Sequence, residues 1–379
     1  MLQNRCDTHT HTLFSRHAYS TVEEDVRAAA EAGLELLGIA DHFSAMVSAT
    51  GDVREYQHFL NMTCWPRHWH GVTLLRAAEV DILDAAGTLF GQDVVLETGI
   101  TEMPMAPQSL FDHCTRSCDY LVASIHHEPL FRDLPVAETT GLYLGALSHP
   151  KVLMAGHMGR AGVPFDTAAV LEYCRAEGKL VEINEHSLDF ADGPVPRRCR
   201  DLAEACAEAG VMVAVNTDAH ISCDVGHAPR VLAMLDEIHF PQELVATRSA
   251  EAFLDAVARA GYCTLLTPSL ALKDLSYVIT ESPTAKEAMP DRRERMEAAA
   301  AARELVFETC EICDVDEMVC RRAHANDDEP DYDDALVAEC AVANGANVIV
   351  SRDRKAFKAM EIPKLSPDQA LKLVRTRLR

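Results

Sequence analysis

Seven short apolar runs along the first two-thirds of the chain each stop at a polar cluster, with helix-like stretches between them. The β-like runs are Leu36–Ala40, Thr73–Ala78, Tyr120–Ser124, Val152–Ala155, Lys179–Ile183 and Val211–Val215, with a short first strand ahead of His9. Continuous apolar runs of this length suit strands covered on both faces. Thr21 followed by Glu24 is a capping-box pattern, and Gly33 stands where that helix would stop. Asp201 to Gly210 repeats the logic: a helical stretch, a glycine, then an apolar strand. This alternation predicts an α/β fold with a parallel sheet and crossover helices. Seven such units suit a closed (βα)7-type barrel better than an open sheet.

The polar clusters carry the candidate chemistry. They are Asp7-Thr8-His9-Thr10-His11, Asp41-His42, Glu79, His126-His127, His157 and Asp218-Ala219-His220. A barrel of parallel strands brings all its strand ends to one face. His9 and His11 are two apart, a spacing that points both rings to one side of a strand, and Asp218 and His220 repeat it. Histidines and carboxylates converging from so many strands predict a multinuclear metal centre suited to hydrolysis. The glycine- and proline-rich stretch from Asp84 to Gln108 breaks the rhythm and reads as an insertion on the same face, either a lid or an ordered surface loop.

Composition narrows the partners. The chain has 379 residues, 48% apolar and 25% charged, and no run of about eighteen apolar residues that would cross a membrane. The opening residues Met1 to Asp7 lack the apolar stretch of a signal peptide. A formal charge of −24 argues against a broad nucleic-acid-binding face, because phosphate contacts need Lys and Arg. It leaves room for a small phosphorylated substrate, whose charge bound cations would meet. Thirteen scattered cysteines read as reduced, buried thiols of a cytoplasmic protein, and the Cys310/Cys313 pair reads as structural.

Here the sequence resembles a known family. Asp7 to Thr12, Ala40-Asp41-His42, Glu79, Ser124-Ile125-His126, Gly156-His157 and Thr217 to His220 are similar to the successive motifs of PHP (polymerase and histidinol phosphatase) domains. Ser15 to Thr21, Trp65-Pro66-Arg67 and Glu128-Pro129 look like the stand-alone bacterial PHP phosphatases of trinuclear-zinc type. The resemblance spans residues 1–261 and implies a distorted (βα)7 barrel with divalent metals, three Zn2+ ions or Mn2+ or Fe2+ in their place, at the strand ends. It implies nine ligands. His9, His11, Glu79 and Asp218 would hold one metal; Glu79, His126 and His157 a second; His17, His42 and His220 a third. The strand direction favours His126 over His127, whereas counting back from Glu128-Pro129 favours His127. A metal-bound water held by Glu79 and Asp218 would be the nucleophile. Arg160 could clamp phosphate. Asn184 and Glu185 would orient histidines or cap the strand end, and Asp7 and Asp41 could accept a ring N–H.

A boundary falls near Gly261. Residues 262–379 open with a strand-like Thr264–Leu266 and a helix from Leu270, and later carry a strand at Val348–Val350. Ser269 to Ile279, Asp331 to Leu336 and Ile349 to Asp353 resemble the later part of a PIN domain, an α/β fold that often cleaves RNA through clustered acids. By motif the acids would be Asp274, Asp334 and Asp353. The opening strand of a PIN domain is missing here, so a truncated, inactive appendage is expected, its open sheet edge covered by the barrel or by a second copy in a homo-oligomer. The expected activity is hydrolysis of a small phosphomonoester. Phosphodiester cleavage of nucleic acid and a metal-stabilised protein-interaction module are the alternatives.

Overall fold

The computed structural model describes residues 2–370, apart from 49–50, 190–192, 261–264, 327, 330, 347, 354, 359, 361 and 368. The chain divides into two compact units, Met1–Tyr262 and Cys263–Arg379.

The first unit is the expected barrel. Its strands are β1 (Cys6–Thr10), β2 (Leu36–Ile39), β3 (Val72–Asp81), β4 (Tyr120–Ser124), β5 (Val152–Ala155), β6 (Leu180–Asn184) and β7 (Val213–Asn216), hydrogen-bonded in that order and parallel throughout. The ends of β1 and β7 meet through bonds beyond the regular ladder. The N–H of Asp218 donates to the His9 carbonyl at 3.0 Å, and that of His11 to the Ala219 carbonyl at 2.8 Å. Closure therefore runs through the residues that carry the candidate chemistry.

Local sequence explains the connections. Helix α1 (Val22–Glu31) begins with the Thr21/Glu24 capping box, satisfying backbone donors at its start. Helix α2 (Val195–Ala209) ends at Gly210, which takes the left-handed conformation with φ 68°. Tyr120 donates its hydroxyl to the Thr8 carbonyl at 2.6 Å. That crossing fits only because residue 38 is glycine: a Cβ there would lie 1.9 Å from the Tyr120 oxygen. The Tyr120 ring also packs edge-on against Phe253, which anchors helix Ala250–Arg259.

Three expectations change. The first strand does not stop ahead of His9 but runs to Thr10, its polar side chains fully buried. The insertion folds as an antiparallel hairpin of Val95–Thr98 with Pro104–Ser109. In the second unit the first strand is Leu265–Pro268, paired in parallel with Cys310–Cys313; Thr264 and Gly261 lie outside the described residues.

The second unit is also α/β, with helices Ser269–Glu281, Arg292–Thr309, Glu317–His324 and Tyr332–Ala343. A separate parallel pair, Ile349–Val350 with Lys364–Leu365, packs on its own small core around Phe357. Among the described residues no helix is long and apolar enough to cross a membrane, and no cysteine is in a disulfide.

Candidate metal centre

The barrel brings all nine candidate ligands together at the carboxyl ends of the strands, and five of them, His17, His42, His126, Asp218 and His220, line one cavity. Glu79, fully buried near the end of β3, is the hub. Its Oε1 lies 2.8 Å from His157 Nε2 and 3.4 Å from His126 Nε2. Its Oε2 lies 2.8 Å from His42 Nδ1, 3.4 Å from His9 Nε2 and 3.5 Å from His11 Nε2. One carboxylate thus faces two sets of imidazoles, one on each oxygen.

The other groups continue outward. His11 Nε2 is 3.0 Å from Asp218 Oδ1 and 3.1 Å from His9 Nε2. His17 Nε2 is 3.3 Å from His42 Nε2 and 2.9 Å from His220 Nε2. His42 thus joins Glu79 through one ring nitrogen and His17 through the other, linking two groups that the family pattern keeps apart. His126 turns into the site, whereas its neighbour His127 is exposed.

The donor set fits divalent cations. Ligand atoms of His9, His11 and Asp218 lie within 4.8 Å of one another, as do those of His42, Glu79 and His126, and those of His11, His42 and His220. His42 Nδ1 and Glu79 Oε2 are buried and 2.8 Å apart, yet neither is in hydrogen-bond geometry with any partner. Buried polar atoms left in that state are costly unless something else satisfies them.

Electrostatics divide the rings: against burial, Glu182, Glu79 and Asp218 raise His9 well above its ordinary value, and against burial Glu79 and Asp81 raise His126 to about 10, so cations would have to displace protons from these two. Burial alone would raise Glu79, but His126, His9 and His42 hold it well below the usual carboxylate range. Asp218 behaves alike: burial opposes, His9 and Arg160 win, and it stays ionised. Burial and then His42 push His11 well below its ordinary value, and burial, His42 and His220 bring His17 to about 4. Those rings stay neutral at pH 7, with lone pairs to give. Two positions in the cluster have left-handed backbones, His157 with φ 27° and Asp218 with φ 59°. Such strain in non-glycine residues gathers at functional sites.

The surrounding residues differ in part from expectation. Asp41 does not touch a ring: it accepts from Thr12 N–H at 2.7 Å and from the Ser15 hydroxyl at 2.7 Å, and Ser15 Oγ lies 2.9 Å from His11 Nδ1. Asp7 accepts from Thr217 N–H and hydroxyl and from Gly226 N–H, fixing the turn that presents Asp218. Glu185 pairs with Arg230 at 2.6 Å and caps helix α3 (Pro229–Glu237) through Val231 N–H. Asn184 does reach the site, 3.4 Å from Asp218 Oδ2. Arg160 donates to Asp218 Oδ2 at 2.9 Å and lines a cavity of about 540 Å³ with His17, His42, Met46, His126, His186, Val195, Asp218 and His220.

Two buried carboxylates escaped the sequence reading. Asp81 Oδ1 lies 2.6 Å from His126 Nδ1, and Glu182 Oε1 lies 2.7 Å from His9 Nδ1. Both sat inside apolar runs. Asp81 is two residues from Glu79, and Glu182 two from Asn184, so the two-residue period of a strand was the available signal.

In the second unit, Asp334 is raised by burial and then by Asp331, Glu329 and Asp353. Two of the three motif acids are therefore electrostatic neighbours.

Known proteins give matching signals. A probable phosphatase of Photobacterium profundum is 32% identical over 260 residues, covering 69% of this chain and 96% of its own. A probable phosphatase of Acetivibrio thermocellus is 32% identical over 253 residues, covering 67% and 95%. The PIN domain family matches residues 163–355, starting inside the barrel unit rather than at the second unit. Among solved structures, the histidinol phosphate phosphatase of Lactococcus lactis, complexed with zinc, L-histidinol and phosphate, covers 63% of this chain and 95% of its own at 15% identity. Its TM-score is 0.38.

Proposed function

The chain belongs to the family of these probable phosphatases and, by a match spanning half its length, to the PIN domain family; we propose that its barrel hydrolyses a small phosphomonoester using divalent cations. The observation that carries this reading is Glu79, whose two oxygens face five imidazoles in two sets. A structural site needs about four ligands and no shared cavity. Here nine donors line or underlie one.

His9, His11, Glu79 and Asp218 would hold one cation, Glu79, His126 and His157 a second, and His17, His42 and His220 a third. Cations held there would make water a nucleophile near neutral pH and neutralise phosphoryl oxygens. Histidine with carboxylate suits zinc, manganese and iron alike. Glu79 and Asp218, kept ionised, orient the attacking water. Arg160 pairs with the outer oxygen of Asp218 and lines the cavity, where its remaining N–H groups would contact a phosphate oxygen.

Metal analysis combined with turnover of p-nitrophenyl phosphate tests the reading, with His9→Ala as control. Metal-loaded protein without turnover on any phosphoester would sink it. Cleavage of single-stranded RNA that survives His9→Ala and disappears in Asp353→Asn would move activity to the second unit.

A further inference from the structure

Glu182 is buried on β6 and belongs to none of the three proposed ligand groups. Each of its oxygens has two partners. Oε1 faces His9 Nδ1 at 2.7 Å and accepts from Asn216 Nδ2 at 2.9 Å. Oε2 accepts from the peptide N–H of His157 at 2.9 Å and from Asn184 Nδ2 at 3.2 Å.

Three of these four partners cannot reverse. A peptide N–H only donates. Asn216 Oδ1 is already taken by Thr8 N–H at 2.8 Å and the Thr8 hydroxyl at 2.7 Å, which turns its amide nitrogen to Glu182. Asn184 Oδ1 accepts from Ser187 N–H at 2.8 Å and from the Ser187 hydroxyl, with the same effect. The ionised carboxylate only accepts, so His9 presents Nδ1–H to it. Once a bound cation displaces the second ring proton, Nε2 is the nitrogen with a lone pair, and it faces Glu79 Oε2 and Asp218 Oδ1 at 3.4 and 3.8 Å.

We propose that Glu182 is a positioning residue that holds two cation ligands at once: it fixes the tautomer of His9 and ties down the left-handed backbone of His157. This rests on the cation reading above. The bond to His157 N–H holds a residue at φ 27°, a conformation that needs outside support.

Glu182→Gln separates positioning from bulk. Its amide nitrogen in the Oε2 place meets two fixed donors, His157 N–H and Asn184. In the Oε1 place it meets Asn216 and His9, and of these His9 alone can yield, by moving its proton to Nε2. The variant therefore favours the tautomer that cannot ligate. Asp81→Asn carries no such conflict. Its oxygen can face His126 Nδ1 while its nitrogen donates to Ser44 Oγ, now 2.5 Å from Asp81 Oδ2.

The experiment uses the full chain as wild type, Glu182→Gln, Glu182→Asp and Asp81→Asn. Zinc per chain is measured after titration against a chromophoric chelator, and the His9 tautomer is read by 15N NMR. The Gln variant is expected to bind zinc at least tenfold more weakly at one site, with the His9 proton on Nε2. Glu182→Asp and Asp81→Asn should keep His126 and His9 in their wild-type tautomers. A Gln variant with full zinc affinity and Nδ1–H on His9 overturns the inference while leaving the cation reading standing. Wild type that binds no zinc, manganese or iron overturns both. Should the Gln variant not fold, the wild-type spectrum still decides, because zinc-loaded His9 carrying its proton on Nε2 contradicts the assignment.

Discussion

Glu79→Gln removes one charge at the hub and almost no volume. In the wild type both oxygens lie within 2.8 to 3.5 Å of imidazole nitrogens that would share cations with them. One unit charge acting on another at about 4 Å, in an effective dielectric of about 20, is worth about 4 kcal/mol. That corresponds to about a thousandfold in affinity for a cation the carboxylate bridges. The amide nitrogen must also face one of the two imidazole sets, where it competes with the ligand lone pairs. Affinity is read by chelator competition and turnover with p-nitrophenyl phosphate, with thermal unfolding as the check on folding. Both affinity and kcat should fall by about three orders of magnitude. A folded variant within tenfold of wild type in both would refute the assignment of Glu79 as a bridge.

Other perturbations probe separate parts of the account. Asp81→Asn keeps the geometry at His126 but loses its charge, so metal affinity should fall about 10–100-fold in the same competition assay; unchanged affinity would leave Asp81 without a role at the centre. Arg160→Ala should lower kcat/KM for p-nitrophenyl phosphate by about 10–100-fold, mainly through KM, as loss of a charged hydrogen bond would; an unaltered KM contradicts phosphate contact. Asp25 is buried with neither oxygen hydrogen-bonded, and burial, then Asp41 and Asp7, push its pKa up to about 8. The folded chain then keeps a proton that the unfolded chain releases near pH 4, so this group costs stability as pH rises from about 4 to about 8, at up to ~1.4 kcal/mol per unit. Asp25→Asn should remove that slope, and urea midpoints at pH 5 and 8 falling equally in variant and wild type would contradict it.

Much of the barrel was legible because its strands are covered on both faces and so read as unbroken apolar runs. Tyr120–Ser124 and Val152–Ala155 run as the pattern predicts. Strand β1 resisted because Asp7, Thr8, His9 and Thr10 are buried polar residues, whose bonds to Thr217, Asn216, Glu182 and Gly38 no apolar pattern encodes. Glu182 and Asp81 were hidden for the opposite reason: each sits inside an apolar run and looks like an interruption. Asp7 and Asp41 take hydroxyls and peptide N–H groups, from Thr217 and Gly226 and from Thr12 and Ser15, where a ring N–H was expected. The link that His42 makes between Glu79 and His17 depends on a side-chain rotamer, which sequence spacing leaves open. The second unit was harder still, because two short strand pairs stand in place of one sheet.

Anomalous diffraction from crystals of the protein purified without chelator, collected at the zinc, manganese and iron edges, tests the central claim most directly. The account predicts peaks between Glu79 and the surrounding imidazoles of His9, His11, His42, His126 and His157, with a further one among His17, His42 and His220. A cavity without anomalous signal at any edge, its histidines bonded to water or to each other, would contradict it.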